Sequence, residues 1–226
     1  MKSKLATVLY GLKHGASMWQ VWCDFCEMAA IAISNRVDHV HRDAREAAYL
    51  TIARRYERPQ LAAFAHAFHV LVTQLETGID DVLGRTYMEL ELGDKRGGQF
   101  FTPFHVCRLL AETQVDEGCR AKIAGRGYIT MFDPAIGAGA LPLAMAAALH
   151  TAGINYQQTL HVTGQDVDSK AIHMAYTQLA LYHVPAVLIV GDALRAQDQG
   201  ERWYTPAHVW GGWSTRLSKA TKEART

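Results

Sequence analysis

Three carboxylates stand where short apolar runs give way to glycine. The run Tyr128 to Phe132 (YITMF) leads into Asp133-Pro134-Ala135-Ile136-Gly137-Ala138-Gly139-Ala140, Leu160 to Thr163 (LHVT) into Gly164-Gln165-Asp166, and Ala186 to Val190 (AVLIV) into Gly191-Asp192-Ala193-Leu194. Glycines after the first acid let a ligand approach the backbone where any Cβ would collide. Asp166 follows Asp133 by about one βαβ unit, and an acid there can accept both hydroxyls of a ribose. Asp192 offers an acceptor for an adenine amino group. Taken singly, each piece has a plainer role, because Asp at a strand end is often a helix N-cap and a glycine pair is often a turn. Together, in this order, they point to a nucleotide-type ligand. The alternative is a dinucleotide site, but the loop reads Asp-Pro-x-x-Gly-x-Gly and lacks the third glycine of that fingerprint.

Positioning three acids side by side requires a parallel sheet. The first two apolar runs feed helical segments, Leu141 to Thr151 and Lys170 to His183, and strand, turn and helix in alternation is the signature of a parallel sheet with helices on its faces. Ligands of such sheets sit at the carboxyl ends of the strands. The fold class is therefore α/β. Before it, residues 1–92 are rich in Ala and long aliphatics, and Leu61, Phe64, Phe68, Leu71 and Leu75 recur at helical spacing between Arg58-Pro59 and Glu76-Thr77-Gly78. We read 1–92 as a helical domain and 93–226 as the ligand-binding one, joined at the polar, glycine-rich Gly93 to Gln99.

The bulk numbers agree with a soluble globular chain. Of 226 residues 49% are hydrophobic and 20% charged, enough for one α/β domain beside a smaller helical one. No window reaches the roughly 18 uninterrupted apolar residues of a membrane span and no leader pattern opens the chain, which makes the cytoplasm the default compartment. Cys23, Cys26, Cys107 and Cys119 form no disulfide framework. A net charge of +1 gives no global attraction to nucleic acid, so any DNA contact must be local.

The residues ahead of the first acid make the pattern specific. Gly98-Gln99-Phe100-Phe101-Thr102-Pro103 resembles the amino-terminal cofactor motif of adenine-N6 DNA methyltransferases, especially the modification subunits of type I restriction-modification systems. Asp133-Pro134-Ala135 with Gly137 and Gly139 is similar to their Asp-Pro-Ala-Cys-Gly-Ser-Gly loop, with Ile136 in place of Cys. Gly164-Gln165-Asp166-Val167-Asp168 resembles their Gly-Gln-Glu segment and Gly191-Asp192 their third cofactor element, so that the resemblance runs from about Ala47 to Leu194. It implies a class I, Rossmann-like fold that binds S-adenosylmethionine. Phe101, Thr102 and Pro103 would line the methionine end, and Asp133 with the backbone of Gly137 and Gly139 would hold the ammonium and carboxylate. Asp166 would take the ribose and Asp192 the adenine, with Ile136, Val167 and Leu194 sandwiching the purine. DNA and a restriction-modification subunit, or a second copy of the chain, are the implied partners.

The chain also departs from that family. Its members carry an Asn/Asp-Pro-Pro-Tyr/Phe loop whose amide oxygen and prolyl carbonyl accept hydrogen bonds from the target amine while the aromatic ring stacks on the flipped base. Here the prolines, Pro59, Pro103, Pro134, Pro142, Pro185 and Pro206, are all isolated. Trp203 to Trp213 (WYTPAHVWGGW) stands where the loop is expected, and the remaining strands and target-recognition region are not encoded before Thr226. Two expectations follow. The sheet is incomplete and needs cover at an edge from the helical part, the Trp-rich tail or a second copy. Methyl transfer lacks its expected acceptors, so the catalytic residues are unknown and the protein is either an enzyme completed by a partner or a cofactor-binding regulator or antagonist of a restriction-modification system. Tyr204 and His208 are chemically able to stack and act as a base, although aromatic residues in such a tail more often pack over an edge.

Smaller signals carry less. Cys23-Asp24-Phe25-Cys26 lacks a second cysteine pair and falls in an expected helix, where buried thiols are the plainer reading than zinc. His39 with His41, and His66 with His69, lack accompanying acids or thiols. Arg216, Lys219, Lys222 and Arg225 could touch phosphates or fray into solvent.

Overall fold

The computed structural model describes residues 3–12, 17–92, 101–195 and 200–223, with side chains to Lys219. The Gly93 to Gln99 connector and the Gly98-Gln99-Phe100 part of the cofactor motif lie outside the described residues, as do the side chains of Lys222 and Arg225. Five helices come first: α1 (Lys4–Gly11), α2 (Met18–Ser34), α3 (Arg42–Ala53), α4 (Arg58–Leu75) and α5 (Val82–Glu89). Then follow α6 (Phe104–Gln114), α7 (Glu117–Arg126), β1 (Ile129–Asp133), α8 (Ala140–Thr151), the single turn α9 (Tyr156–Thr159), β2 (Leu160–Asp166), α10 (Ser169–Leu181) and β3 (Ala186–Val190). The described chain closes with β4 (Arg202–Tyr204), α11 (Pro206–Trp210) and α12 (Trp213–Glu223). Among these helices none is long and apolar enough to cross a membrane.

Helix ends follow local chemistry. Helix α4 starts at Arg58 because Pro59 suits a first turn and the Gln60 side chain accepts the Glu57 N–H at 2.8 Å. The Ser17 hydroxyl accepts the Gln20 N–H at the start of α2, and Gly127, at φ +83°, ends α7. Cys23 and Cys26 both lie in α2, Cys26 fully buried.

The sheet order is β1-β2-β3-β4. The first three strands are parallel, with Ile129 opposite Leu160 and Val162 opposite Ala186. The last is antiparallel, with Leu188 opposite Trp203. Strand β2 runs three residues beyond its apolar run, since a ladder needs only backbone from Gly164, Gln165 and Asp166 to pair with Leu188, Ile189 and Val190. Strand β4 has three residues, too short for a period-two pattern to announce it. The tail thus caps the β3 edge: Trp203 is buried, and from α3 the Arg45 guanidinium lies 3.7 Å above its ring and donates to the Arg202 carbonyl at 2.8 Å. One apolar cluster runs from Leu5 and Trp22 through Leu71 and Leu83 to Leu143, Ile172 and Leu188, so the helical segment and the sheet share a core.

Candidate functional site

The carboxyl ends of β1, β2 and β3 bring the three acids into register, Asp133 opposite Gly164 and Asp166 opposite Val190, with Asp192 two residues past β3. Each carboxylate takes a backbone N–H two residues further on: Ala135 to Asp133 at 3.1 Å, Asp168 to Asp166 at 3.0 Å and Leu194 to Asp192 at 3.0 Å. The second oxygens differ. Asp166 Oδ2 accepts the Gly137 N–H at 2.9 Å, Asp192 Oδ2 faces Arg195 Nε at 3.2 Å, and Asp133 Oδ2 has no partner among the described residues. Burial pushes the Asp133 carboxyl up, and the nearby charge of Asp166 adds to it. Each oxygen has two lone pairs and at most one partner among the described residues, which leaves acceptor capacity for a ligand.

The glycine loop is fixed from below and from the side. Gly137, at φ +55°, lies under the Phe101 ring so closely that a Cβ would fall 2.9 Å from Phe101 Cδ1. Gly139, at φ +91°, starts α8 where a Cβ would press on Ala175 of α10 at 3.3 Å. Their N–H groups are used internally, Gly137 to Asp166 and Gly139 to the Ile136 carbonyl at 2.9 Å, so outward they offer Cα surface. Ile136, grouped in the sequence with the purine-facing aliphatics, is buried beneath the loop instead, since Gly164 provides the space its Cδ1 fills. Val167 and Leu194 are 71% and 95% exposed beside the acids.

A support layer behind the loop was not evident from sequence. Asp81, the buried N-cap of α5, accepts the Gly84 N–H and a Gln178 amide N–H, both at 2.8 Å. Gln178 also donates to the Ala138 carbonyl at 2.9 Å and accepts the Leu83 N–H at 2.9 Å. Asp81-x-x-Gly84 is legible as a cap, but Gln178 sits mid-helix and its partners are distant in sequence, so no local pattern marks it. Aromatic rings continue the wall: Phe101 meets Tyr87 at 4.9 Å between centroids and Tyr87 meets Trp19 at 6.2 Å, with Lys170 Nζ 5.5 Å from the Trp19 ring and 2.9 Å from Asp168.

Thr102 and Pro103 are exposed, and with Phe101 they line a cavity of about 530 Å³ on the α5 and α6 side together with Asp80, Arg85 and Met88. Of the predicted site residues only these three line it. Pro134 and Ala135 form the exposed turn after β1.

Tyr204 and His208 lie elsewhere. His208 is buried near the amino end of the sheet, its Nδ1 2.9 Å from Nε2 of His161, the second residue of β2, and its Nε2 2.9 Å from Ser214 Oγ. From His161 to Asp166 the strand rises roughly 16 Å, so His208 cannot act at the acidic tips. Among the described residues no cluster of three or more His, Cys, Asp or Glu could hold a metal ion.

No curated protein and no solved structure shows significant similarity to the chain. The N-6 DNA Methylase family model, by contrast, matches residues 80–210, more than half of the sequence and a span that holds α5, the glycine loop, all three acids and β4. The chain belongs to the adenine-N6 DNA methyltransferase family.

Proposed function

We propose that residues 93–226 form a class I, Rossmann-like domain that binds S-adenosylmethionine at the carboxyl ends of β1, β2 and β3, with residues 1–92 as a helical domain buttressing it. The observation that carries this reading is the juxtaposition of Asp133 and Asp166 beside two exposed aliphatics, Val167 and Leu194. Exposed apolar side chains next to acceptors with spare lone pairs fit a nucleoside, which needs flat apolar contact on its base and acceptors on its sugar. Asp133, with Pro134, Ala135 and the Cα surface of Gly137 and Gly139, faces the ammonium and carboxylate, and the α8 amino terminus favours the negative end. Phe101, Thr102 and Pro103 border the methionine end. Asp166 holds the ribose, Val167 and Leu194 the faces of the purine, and Asp192 its amino group.

When bound, S-adenosylmethionine supplies a methyl group on a positively charged sulfur. The three acids supply a negative field that suits that charge. DNA is the substrate class of the family, and we place the protein among restriction-modification components acting in the cytoplasm. The isolated prolines support a second reading, a cofactor-binding regulator or antagonist, because no Asn/Asp-Pro-Pro-Tyr/Phe clamp stands ready to accept from an adenine amine. In either case transfer requires a partner that completes the site, a restriction-modification subunit or a second copy.

Calorimetric titration with S-adenosylmethionine, followed by tritiated methyl transfer to unmethylated DNA, tests both parts. Wild type should bind and Asp166→Ala should bind at least about tenfold more weakly, having lost two charge-assisted contacts. Transfer by the isolated chain overturns the need for another subunit, and binding without transfer selects the partner-dependent or regulatory form. No binding by the wild type overturns the proposal.

A further inference from the structure

Helix α5 reaches the glycine loop by two routes. Along the first, Asp81 caps α5 and its Oδ1 accepts a Gln178 amide N–H at 2.8 Å, while the same amide donates to the Ala138 carbonyl at 2.9 Å. Along the second, the Tyr87 ring meets Phe101 edge-on at 4.9 Å between centroids, and Phe101 lies against Gly137 so closely that no Cβ fits between them. Gly137 and Ala138 are neighbours in the chain. One short helix of the amino-terminal segment therefore holds the loop both by a backbone carbonyl and by its surface.

Gln178 suits this place because an amide carries two donors and an acceptor in one plane. It is fully buried, both N–H groups are used, and its Oε1 accepts the Leu83 N–H at 2.9 Å, a group that a helix leaves unpaired in its first turn. A flipped amide would set its oxygen against the Asp81 carboxylate and the Ala138 carbonyl, so the bonds fix its orientation together. Glutamate would repel both acceptors, and asparagine is one methylene short. The α10 helix that carries Gln178 also seats the loop one turn earlier, where Gly139 lies against Ala175. Burial pushes the Asp81 carboxyl up, and the Gln178 and Gly84 N–H groups oppose that rise, so the cap leans on the same amide.

We propose that Gln178 is a positioning residue for the cofactor, transmitting the docking of α5 to the glycine loop, so that a displaced α5 weakens the hold on S-adenosylmethionine. The inference rests on the reading of that loop as the S-adenosylmethionine site. Asp81, Leu83 and Gln178 act through the Ala138 backbone rather than by contact with the nucleotide.

Two substitutions break the relay at different links. At Gly84 a Cβ would fall 2.1 Å from Asp81 Oδ2, so Gly84→Ala turns the carboxylate away from Gln178, while alanine itself favours the helix. Gln178→Met keeps length and bulk but makes none of the three bonds. In calorimetric titration Gly84→Ala should bind S-adenosylmethionine about fivefold more weakly than wild type and Gln178→Met about tenfold. The double variant should stay within about twofold of Gln178→Met alone, because the second break finds the relay already cut. Amide hydrogen exchange read by mass spectrometry needs no cofactor. In Gln178→Met the peptide holding Asp133 to Ala140 should exchange at least about tenfold faster, with peptides from β4 and α11 unchanged. Undiminished affinity, losses that add, an unaltered loop, or acceleration spread evenly over the chain, as plain destabilisation gives, overturns the proposal. A wild type that binds no S-adenosylmethionine overturns the site reading instead, and the exchange comparison alone then decides whether α5 positions the loop.

Discussion

Strand β2 carries two polar residues whose surroundings are opposite. At its carboxyl end Asp166 is partly exposed, tied to Gly137 and Asp168 yet left with acceptor capacity. At its amino end His161 is 1% exposed, bonded to His208 and tilted against Trp213 at 5.1 Å between centroids, with the Arg216 guanidinium 3.7 Å from the same indole. One end is closed by α11 and α12, and the other is held open by glycines and short turns. The same strand therefore supplies stability at one end and ligand chemistry at the other, and a residue's end predicts its role better than its type does.

The comparison breaks most easily at the closed end. Trp213 is fully buried, so Trp213→Ala should cost about 3–5 kcal/mol in urea unfolding. Its S-adenosylmethionine affinity, measured where the variant is still folded, should stay within about twofold of wild type. A large loss of affinity with little loss of stability would show that the two ends are not separable.

Acid sharpens the same contrast. Burial pushes His161 down to about 3, with His208 and Arg216 adding to the effect, and burial pushes His208 down to about 4. Both are neutral in the folded chain at pH 7, while the unfolded chain takes up protons near 6.5. The stability they contribute is complete above pH 6.5 and is lost as pH falls toward their folded values. Between pH 7 and 5 this amounts to about 2 kcal/mol apiece, which urea midpoints can measure, and replacing both histidines by Phe should flatten the profile. A midpoint unchanged over that range would mean that the pair is hydrated.

The smallest effect belongs to the open end. Gly164→Ala would set a Cβ 2.2 Å from Ile136 Cδ1 and 2.9 Å from Leu188 Cδ2, and should cost about 1–3 kcal/mol by overpacking. Ile136→Val removes the nearer methyl and should restore part of the loss in the double variant. Without rescue, the strain lies in the backbone rather than between Gly164 and Ile136.

Much of this was legible in the sequence. YITMF, LHVT and AVLIV mark the three parallel strands, because short apolar runs ending at Gly or Asp leave few other folds, and α4 begins at Arg58 and ends at Leu75 as its proline and glycine require. The family was readable from the Gly98 to Pro103 run and the loop at Asp133. What could not be read was non-local. Three residues of β4 have no period of their own, and Gln178 acquires its partners only once α5 and the loop are in place. Ile136 was misassigned to the purine because its burial depends on the absence of a side chain at Gly164, far along the chain.

The Arg45 clamp has a temporal consequence. Its hydrogen bond to Arg202 spans 157 residues, so a chain emerging from the ribosome amino terminus first must expose the β3 edge until Arg202 to Tyr204 have been made. During that interval the β3 edge of the nascent sheet is bare, and a binding chaperone would find it there.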